Sequence, residues 1–190
     1  MKKLDHLKNI FNNYDHFIID LWGVVHNGIK PYEGAIKTIE ELYNNNKNYV
    51  FLSNAPRPVY DVRKFLIEKM QINEKFLNNI LTSGEAAINS IKNFSYGKLF
   101  FHLGPERDSK IFAGLENHKT ELDKCDYILC TGLYDSEMDK LNFYEKLLKN
   151  STDKKMICTN PDLIVDRGNT QEYCAGSIAK LFEKIGGEVV

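Results

Sequence analysis

Much that would announce a function is missing from this chain of 190 residues. No apolar run approaches the ~18 residues that span a bilayer, which argues against a membrane helix. The start, MKKLDHLKNIFNNYDHF, has two lysines but no continuous apolar region, so it does not read as a secretory signal. An excess of one charge is missing as well: 25 basic side chains stand against 26 acidic ones. That balance gives no electrostatic footprint for nucleic acid or an anionic membrane. The four cysteines, Cys125, Cys130, Cys158 and Cys174, lack metal-ligand spacing and read as free thiols of a reducing compartment. None of the five histidines has such spacing either, and His26 reads as a surface or packing residue. The sequons at Asn93 and Asn150 carry no expectation of glycosylation without a secretion signal. No G-x-G-x-x-G follows the first strand-like run, which speaks against a dinucleotide-binding domain. The exclusions leave a cytoplasmic globular protein.

What is present is a rhythm of apolar runs alternating with helical periods, the βαβ signature. HFIID (16–20), NYVFLSN (48–54) and NNILTSG (78–84) read as strands separated by helices over 34–47 and from Pro58 onward. A second series follows: a helix over 85–93, strands at 98–104, 126–132 and 155–160, and helices over 136–149 and 174–185. Gly186 and Gly187 close the last helix, and Glu188-Val189-Val190 begin a further strand. Alternation of this kind predicts an α/β protein with parallel sheets and helices on both sheet faces. Parallel sheets place their sites at the carboxyl ends of strands, where Asp20, Ser53 and Asn54, and Thr82 and Ser83, all fall.

Asp20 ends the run Phe17-Ile18-Ile19 and opens a glycine turn, LWGVVHNG. A carboxylate there can form a turn, and it can also act as a nucleophile that takes up a phosphoryl group. Gly23 allows a sharp turn whose N–H groups can meet an anion. Ser53 comes 33 residues after Asp20, one βαβ unit away, which sets the two strand ends side by side. The Ser53 hydroxyl and Asn54 amide suit phosphate oxygens, and equally suit a plain strand-to-helix cap. Arg57 and Arg167 fit anion contacts or exposed salt bridges.

Taken in order, DLWGVVHNG, LSNAPR, LTSGE, CTNPD and YCAGSIAKLFEKIGG resemble the haloacid dehalogenase superfamily. More narrowly, they are similar to its class IIA branch of NagD-like and nitrophenyl phosphatase-like hydrolases. The resemblance implies a Rossmann-like core with an inserted α/β cap. It divides the chain into a core of 1–84 plus 168–190, incomplete at its C-terminal end, and a cap of 85–167. It implies a Mg²⁺-dependent phosphatase acting on a small phosphorylated molecule. Asp20 would be nucleophile and metal ligand, with the backbone carbonyl of Trp22 as a second ligand. Gly23, Ser53, Asn54 and Arg57 would hold phosphate, and Asn160, Pro161 and Asp162 would approach the substrate from the cap.

Two departures qualify that reading. Where the family carries a second aspartate, this chain has Trp22, whose indole has no proton to exchange near neutral pH. Loss of a positioned acid/base slows a reaction by about 10²–10⁴-fold. The chain also lacks the family's later Gly-Lys-Pro and Gly-Asp segments, so Mg²⁺ binding at Asp20 alone is expected to be weak. Both departures keep two alternatives open. One is a non-catalytic, truncated or split remnant that binds a phosphate-bearing ligand or a complementing C-terminal polypeptide. The other is a dehalogenase-like substitution whose leaving group needs no proton. A homodimer is the other partner the sequence leaves open. The strand at Phe17-Ile18-Ile19 is expected to form an exposed apolar edge.

Overall fold

The computed structural model describes residues 6–138, 140–167 and 170–190. The chain divides into two compact units, residues 1–53 with 60–81, and residues 54–59 with 82–190.

In the first unit, the apolar run condenses into β1 (His16–Asp20), followed by α1 (Glu33–Asn44) and β2 (Asn48–Ser53). α2 (Val59–Glu68) and β3 (Ile80–Thr82) complete the series. α1 has Glu33 in its first turn, where a carboxylate complements the helix dipole, and buries Ile39 and Leu42. Its exit turns through Asn46 at φ +53°, a left-handed geometry that Asn accepts more readily than most residues. α2 buries Val62 and Leu66.

The strands lie in the order β1-β2-β3. β1 and β2 are parallel, with Ile18 opposite Val50 and Asp20 opposite Leu52. The Phe51 N–H donates to the Asn79 carbonyl at 2.9 Å, which sets Phe51 opposite Ile80 and Leu52 opposite Leu81. Both steps across the sheet run in one direction. Right-handed crossovers therefore carry α1 and α2 to the same face. Burial agrees: Phe51 and Ile80 are inside, while Leu52 and Leu81 lie exposed on the other face.

The second unit is built on a parallel sheet of order β4-β5-β6-β9. Its strands are β4 (Phe100–Leu103), β5 (Tyr127–Cys130), β6 (Lys155–Cys158) and β9 (Glu188–Val189). Helices α3 (Ser83–Lys92), α4 (Leu141–Leu148) and α5 (Ala175–Lys184) pack on it, and a short antiparallel hairpin joins β7 (Ile164–Arg167) to β8 (Thr170–Tyr173). The alternation of β5 shows that both faces are covered. Ile128 and Cys130 join a core with Tyr144, Leu148, Ile178 and Phe182 of α4 and α5. Tyr127 and Leu129 join another with Ala87, Ile88 and Ile91 of α3 and with Ile111 and Phe112. Each large side chain fully buried there stabilises the unit by about 1.5–3 kcal/mol.

Two expectations are corrected. Residues 170–190 do not return to the first unit; β9 pairs with β6, and α5 packs on α4 and on β5. The cause is the amphipathic face of α5, whose Ile178, Ala179 and Phe182 find their apolar partners in the second sheet. Among the described residues the second sheet carries helices on both faces and the first on one, its two crossovers being of the same hand.

Candidate functional site

Within the first unit the chemistry gathers where β1 and β2 end. Asp20 is the last residue of β1, its side chain exposed, and its Oδ1 accepts the Leu21 N–H at 2.7 Å. Ser53 ends β2 one residue beyond Leu52, the register partner of Asp20, so the two strand ends are neighbours as their spacing predicts. Ser53 is buried.

The turn after Asp20 is tightly built. Gly23 sits at φ +79°, a conformation that suits glycine, and its N–H donates to the His26 carbonyl at 2.8 Å. That N–H is therefore engaged by the turn itself rather than held out to an anion. Trp22 is 41% exposed and lies edge-on to the His26 ring, with 5.4 Å between centroids. Gly28, at φ +82°, is where the indole rests: a Cβ there would come within 2.4 Å of Trp22 Cη2. His26 is a packing residue, buried between Trp22 and Phe65. Its Nδ1 accepts the Gly28 N–H at 3.0 Å, which places the proton of the neutral ring on Nε2. Burial lowers its pKa, and the nearby Asp20 charge partly opposes that.

The remaining candidates belong to the second unit, where Asn160, Pro161 and Asp162 follow the carboxyl end of β6. Asn54 and Asp162, 108 positions apart in sequence, meet there: Asn54 Nδ2 donates to Asp162 Oδ1 at 3.1 Å. Asn160 Oδ1 accepts the Asp162 N–H at 3.0 Å and shapes the loop. Pro161 serves through its backbone, since a Cβ on Gly176 of α5 would come within 2.2 Å of the Pro161 carbonyl oxygen. The Arg57 side chain is half exposed, with Nε 3.7 Å from Asp108 Oδ1. The Arg167 side chain lies outside the described residues.

Sequence reasoning missed Asp108 and His102 of this unit, and gave Thr82 and Ser83 no role beyond their place at a strand end. Asp108 is only 5% exposed, and Oδ1 has no hydrogen-bond partner among the described residues. Burial raises its pKa, with Arg57 and Arg107 pulling the other way. Thr82 accepts the Glu85 N–H at 3.0 Å and donates to the Arg57 carbonyl at 2.7 Å. Glu85 Oε2 in turn accepts the Val59 N–H at 3.2 Å, so one Thr-x-x-Glu box caps α3 and fixes the start of α2. That box was visible as T-S-G-E and is a known capping pattern. Ser83 Oγ donates to the carbonyls of Ala55 and Thr159. His102 is buried, with Nε2 2.9 Å from Thr131 Oγ1, and desolvation lowers its pKa to about 4.

Magnesium finds a thin donor set. Among the described residues no group of three or more His, Cys, Asp and Glu side chains could hold a metal ion. Asp20 is one carboxylate with one oxygen already accepting a backbone N–H, and these residues do not by themselves fit a resident Mg²⁺ site. No helix among the described residues is long and apolar enough to cross a membrane.

Comparison with known proteins gives these parts a context. The family model of the haloacid dehalogenase-like hydrolases matches residues 17–117. A hydrolase of the haloacid dehalogenase-like family from Brucella suis superposes with a TM-score of 0.87 at 30% identity, over 98% of this chain and 71% of its own. A 4-nitrophenylphosphatase from Thermotoga maritima shares the fold with a TM-score of 0.67 at 23% identity, over 95% of this chain and 69% of its own. A possible sugar phosphatase from Cytophaga hutchinsonii does so with a TM-score of 0.75 at 16% identity, over 99% and 70%. No curated protein matches.

Proposed function

Starting from the fact that this chain belongs to the haloacid dehalogenase-like hydrolases, we propose that it removes a phosphoryl group from a small phosphorylated molecule through an aspartyl phosphate on Asp20. The observation that carries the reading is the exposed Asp20 carboxylate at the carboxyl end of β1, after the apolar run Phe17-Ile18-Ile19. Its Oδ1 is oriented by the Leu21 N–H, and Oδ2 is the attacking oxygen. A bond forms from Oδ2 to phosphorus while the bond from phosphorus to the leaving oxygen breaks. Water then attacks the acyl phosphate, releases inorganic phosphate and restores the carboxylate. Fold relatives named as a 4-nitrophenylphosphatase and a possible sugar phosphatase agree with this chemistry.

The position of Trp22 sets the substrate's limits. The Trp22 indole cannot protonate the leaving oxygen, which favours a group that departs as a stable anion. Aryl phosphates satisfy that condition, and alkyl phosphates do not. Mg²⁺ is proposed to bind weakly, Asp20 being its one carboxylate.

The test is turnover of 4-nitrophenyl phosphate with Mg²⁺ by the 190-residue chain and by its Asp20→Asn variant. Slow release of 4-nitrophenolate that disappears in Asp20→Asn, at unchanged far-UV circular dichroism, is the expected result. Equal rates for the two proteins would refute the nucleophilic role of Asp20 and favour a chain that binds a phosphate-bearing ligand without turning it over.

A further inference from the structure

Between His26 and Lys30 the first unit makes a second tight turn, and its polar atoms gather around one side chain. Asn27-Gly28 is the chain's one Asn-Gly step. The turn is pinned at its base: the Asn27 N–H donates to the Lys30 carbonyl at 3.2 Å, and His26 forms an antiparallel bridge with Pro31. Asn27 Oδ1 accepts two backbone N–H groups, from Ile29 at 3.0 Å and from Lys30 at 2.8 Å. The backbone nitrogen of Gly28, with no Cβ beside it, points its hydrogen at His26 Nδ1, 3.0 Å away. Asn27 Nδ2 has no hydrogen-bond partner among the described residues. These are the parts of an acyl-transfer site: a nucleophilic nitrogen, a base on its proton, donors where negative charge develops, and an unheld leaving group. Nucleophile and carbonyl lie on adjacent residues, so their encounter loses little entropy.

We propose that Asn27 is a self-modification site, at which this turn converts the side-chain amide to a cyclic imide and then to an aspartyl or isoaspartyl residue. The Gly28 nitrogen forms a bond to Asn27 Cγ while its proton passes to His26 Nδ1. Charge collects on Oδ1, where the Ile29 and Lys30 N–H groups stabilise it. The bond from Cγ to Nδ2 then breaks, the proton is handed on to Nδ2, and ammonia leaves. Water opens the imide at either carbonyl. One opening gives aspartate, and the other gives isoaspartate, whose main chain runs through Cγ. Water has access, since Asn27 and Gly28 are half-buried and Ile29 and Lys30 exposed. The change reaches Trp22. Its indole rests on Gly28, where a Cβ would come within 2.4 Å of Cη2, so an added main-chain carbon at this step displaces the ring. Either product also adds a negative charge to the segment that follows Asp20.

The test incubates the 190-residue chain folded in buffer and, in parallel, unfolded in guanidinium chloride at the same pH and temperature. Intact mass reports the exchange of amide for acid, proteolytic peptides locate it, and labelling by an isoaspartyl methyltransferase counts isoaspartate. The unfolded chain keeps the Asn-Gly step and loses the arrangement of base and donors around it. Conversion at Asn27 is expected to be about tenfold or more faster in the folded chain, with Trp22 emission shifting as it proceeds. His26→Gln, checked for folding by circular dichroism, keeps a hydrogen-bonding side chain without the base and should fall toward the unfolded rate. Equal or slower conversion in the folded chain would overturn the proposal, because the hydrogen bonds would then clamp the amide instead of activating it. A folded His26→Gln that converts as fast as the parent would overturn the role given to the imidazole. Where that variant does not fold, the comparison of folded with unfolded parent decides alone. Mass is read without any substrate, so failure here and failure of the Asp20 chemistry are separate results.

Discussion

His102 offers the sharpest quantitative test of how the second unit is held together. The imidazole sits on β4, buried against Phe112 with a ring-centroid distance of 5.0 Å, and with Nε2 at Thr131 Oγ1. Desolvation, with a smaller contribution from the Lys119 charge, lowers its pKa from 6.5 to about 4. The folded protein thus resists protonation at a pH where the unfolded chain already accepts the proton. Stability from this residue is complete above pH 6.5 and drains away as pH falls toward 4. A difference of that size corresponds to about 3 kcal/mol at 1.36 kcal/mol per pKa unit. The perturbation is His102→Gln, which keeps a hydrogen-bonding group near Thr131 and cannot titrate. Urea unfolding of both proteins should be followed by near-UV tyrosine signals at several values from pH 7 to 4. The parent should lose about 3 kcal/mol more than the variant across that range, since every other titrating group cancels in the comparison. Parallel loss in the two proteins would refute the burial argument. Trp22 is the chain's one tryptophan and lies in the first unit, so its fluorescence reports that unit separately.

Two further predictions follow from close contacts and chemistry. Gly84→Ala would put a Cβ 2.3 Å from the Arg57 backbone nitrogen, where neither side is a flexible side chain. It should cost about 1–3 kcal/mol in urea unfolding, and an unchanged midpoint would show that α3 is free to shift. Trp22→Asp should raise turnover of an alkyl phosphate by about 10²-fold or more while changing an aryl phosphate less, because the acid matters most for poor leaving groups. Equal gains on both substrates would mean that residue 22 does not act on the leaving group.

Much of the fold was legible because local pattern and final packing agree. His16–Asp20 is a strand at the bounds its apolar run predicts, and the βαβ spacing correctly sets Ser53 beside Asp20. Helix ends were less legible. The helix read over 136–149 is observed over Leu141–Leu148, since Glu137 forms a turn with Tyr134 and pairs with Lys140 instead of opening the helix. The place of α5 and β9 was not legible, because periodicity shows that a helix has an apolar face and not which sheet will cover it. The hairpin of β7 and β8 was missed for a related reason: DLIVDRGNTQEY has short alternation with no long apolar run. At the site, Asn54 and Asp162 could be named but their hydrogen bond could not. Asp108 and His102 were missed because burial of a polar residue is decided by its neighbours in space.

The segment Asn54–Val59 has a consequence for how such a protein can be recombined. It lies in sequence between two pieces of the first unit, yet it belongs to the second, tied there by Asp162, Ser83 and Glu85. A shuffling event with a single junction near residue 82 would transplant the large module and leave its six-residue outpost behind. The transplanted Ser83, Glu85 and Asp162 would then meet a foreign loop at the mouth of the second sheet. Inheritance of this architecture is thus indivisible at the junction that looks simplest. Exchange of one module for another demands that Asn54–Val59 travel with the residues that hold it.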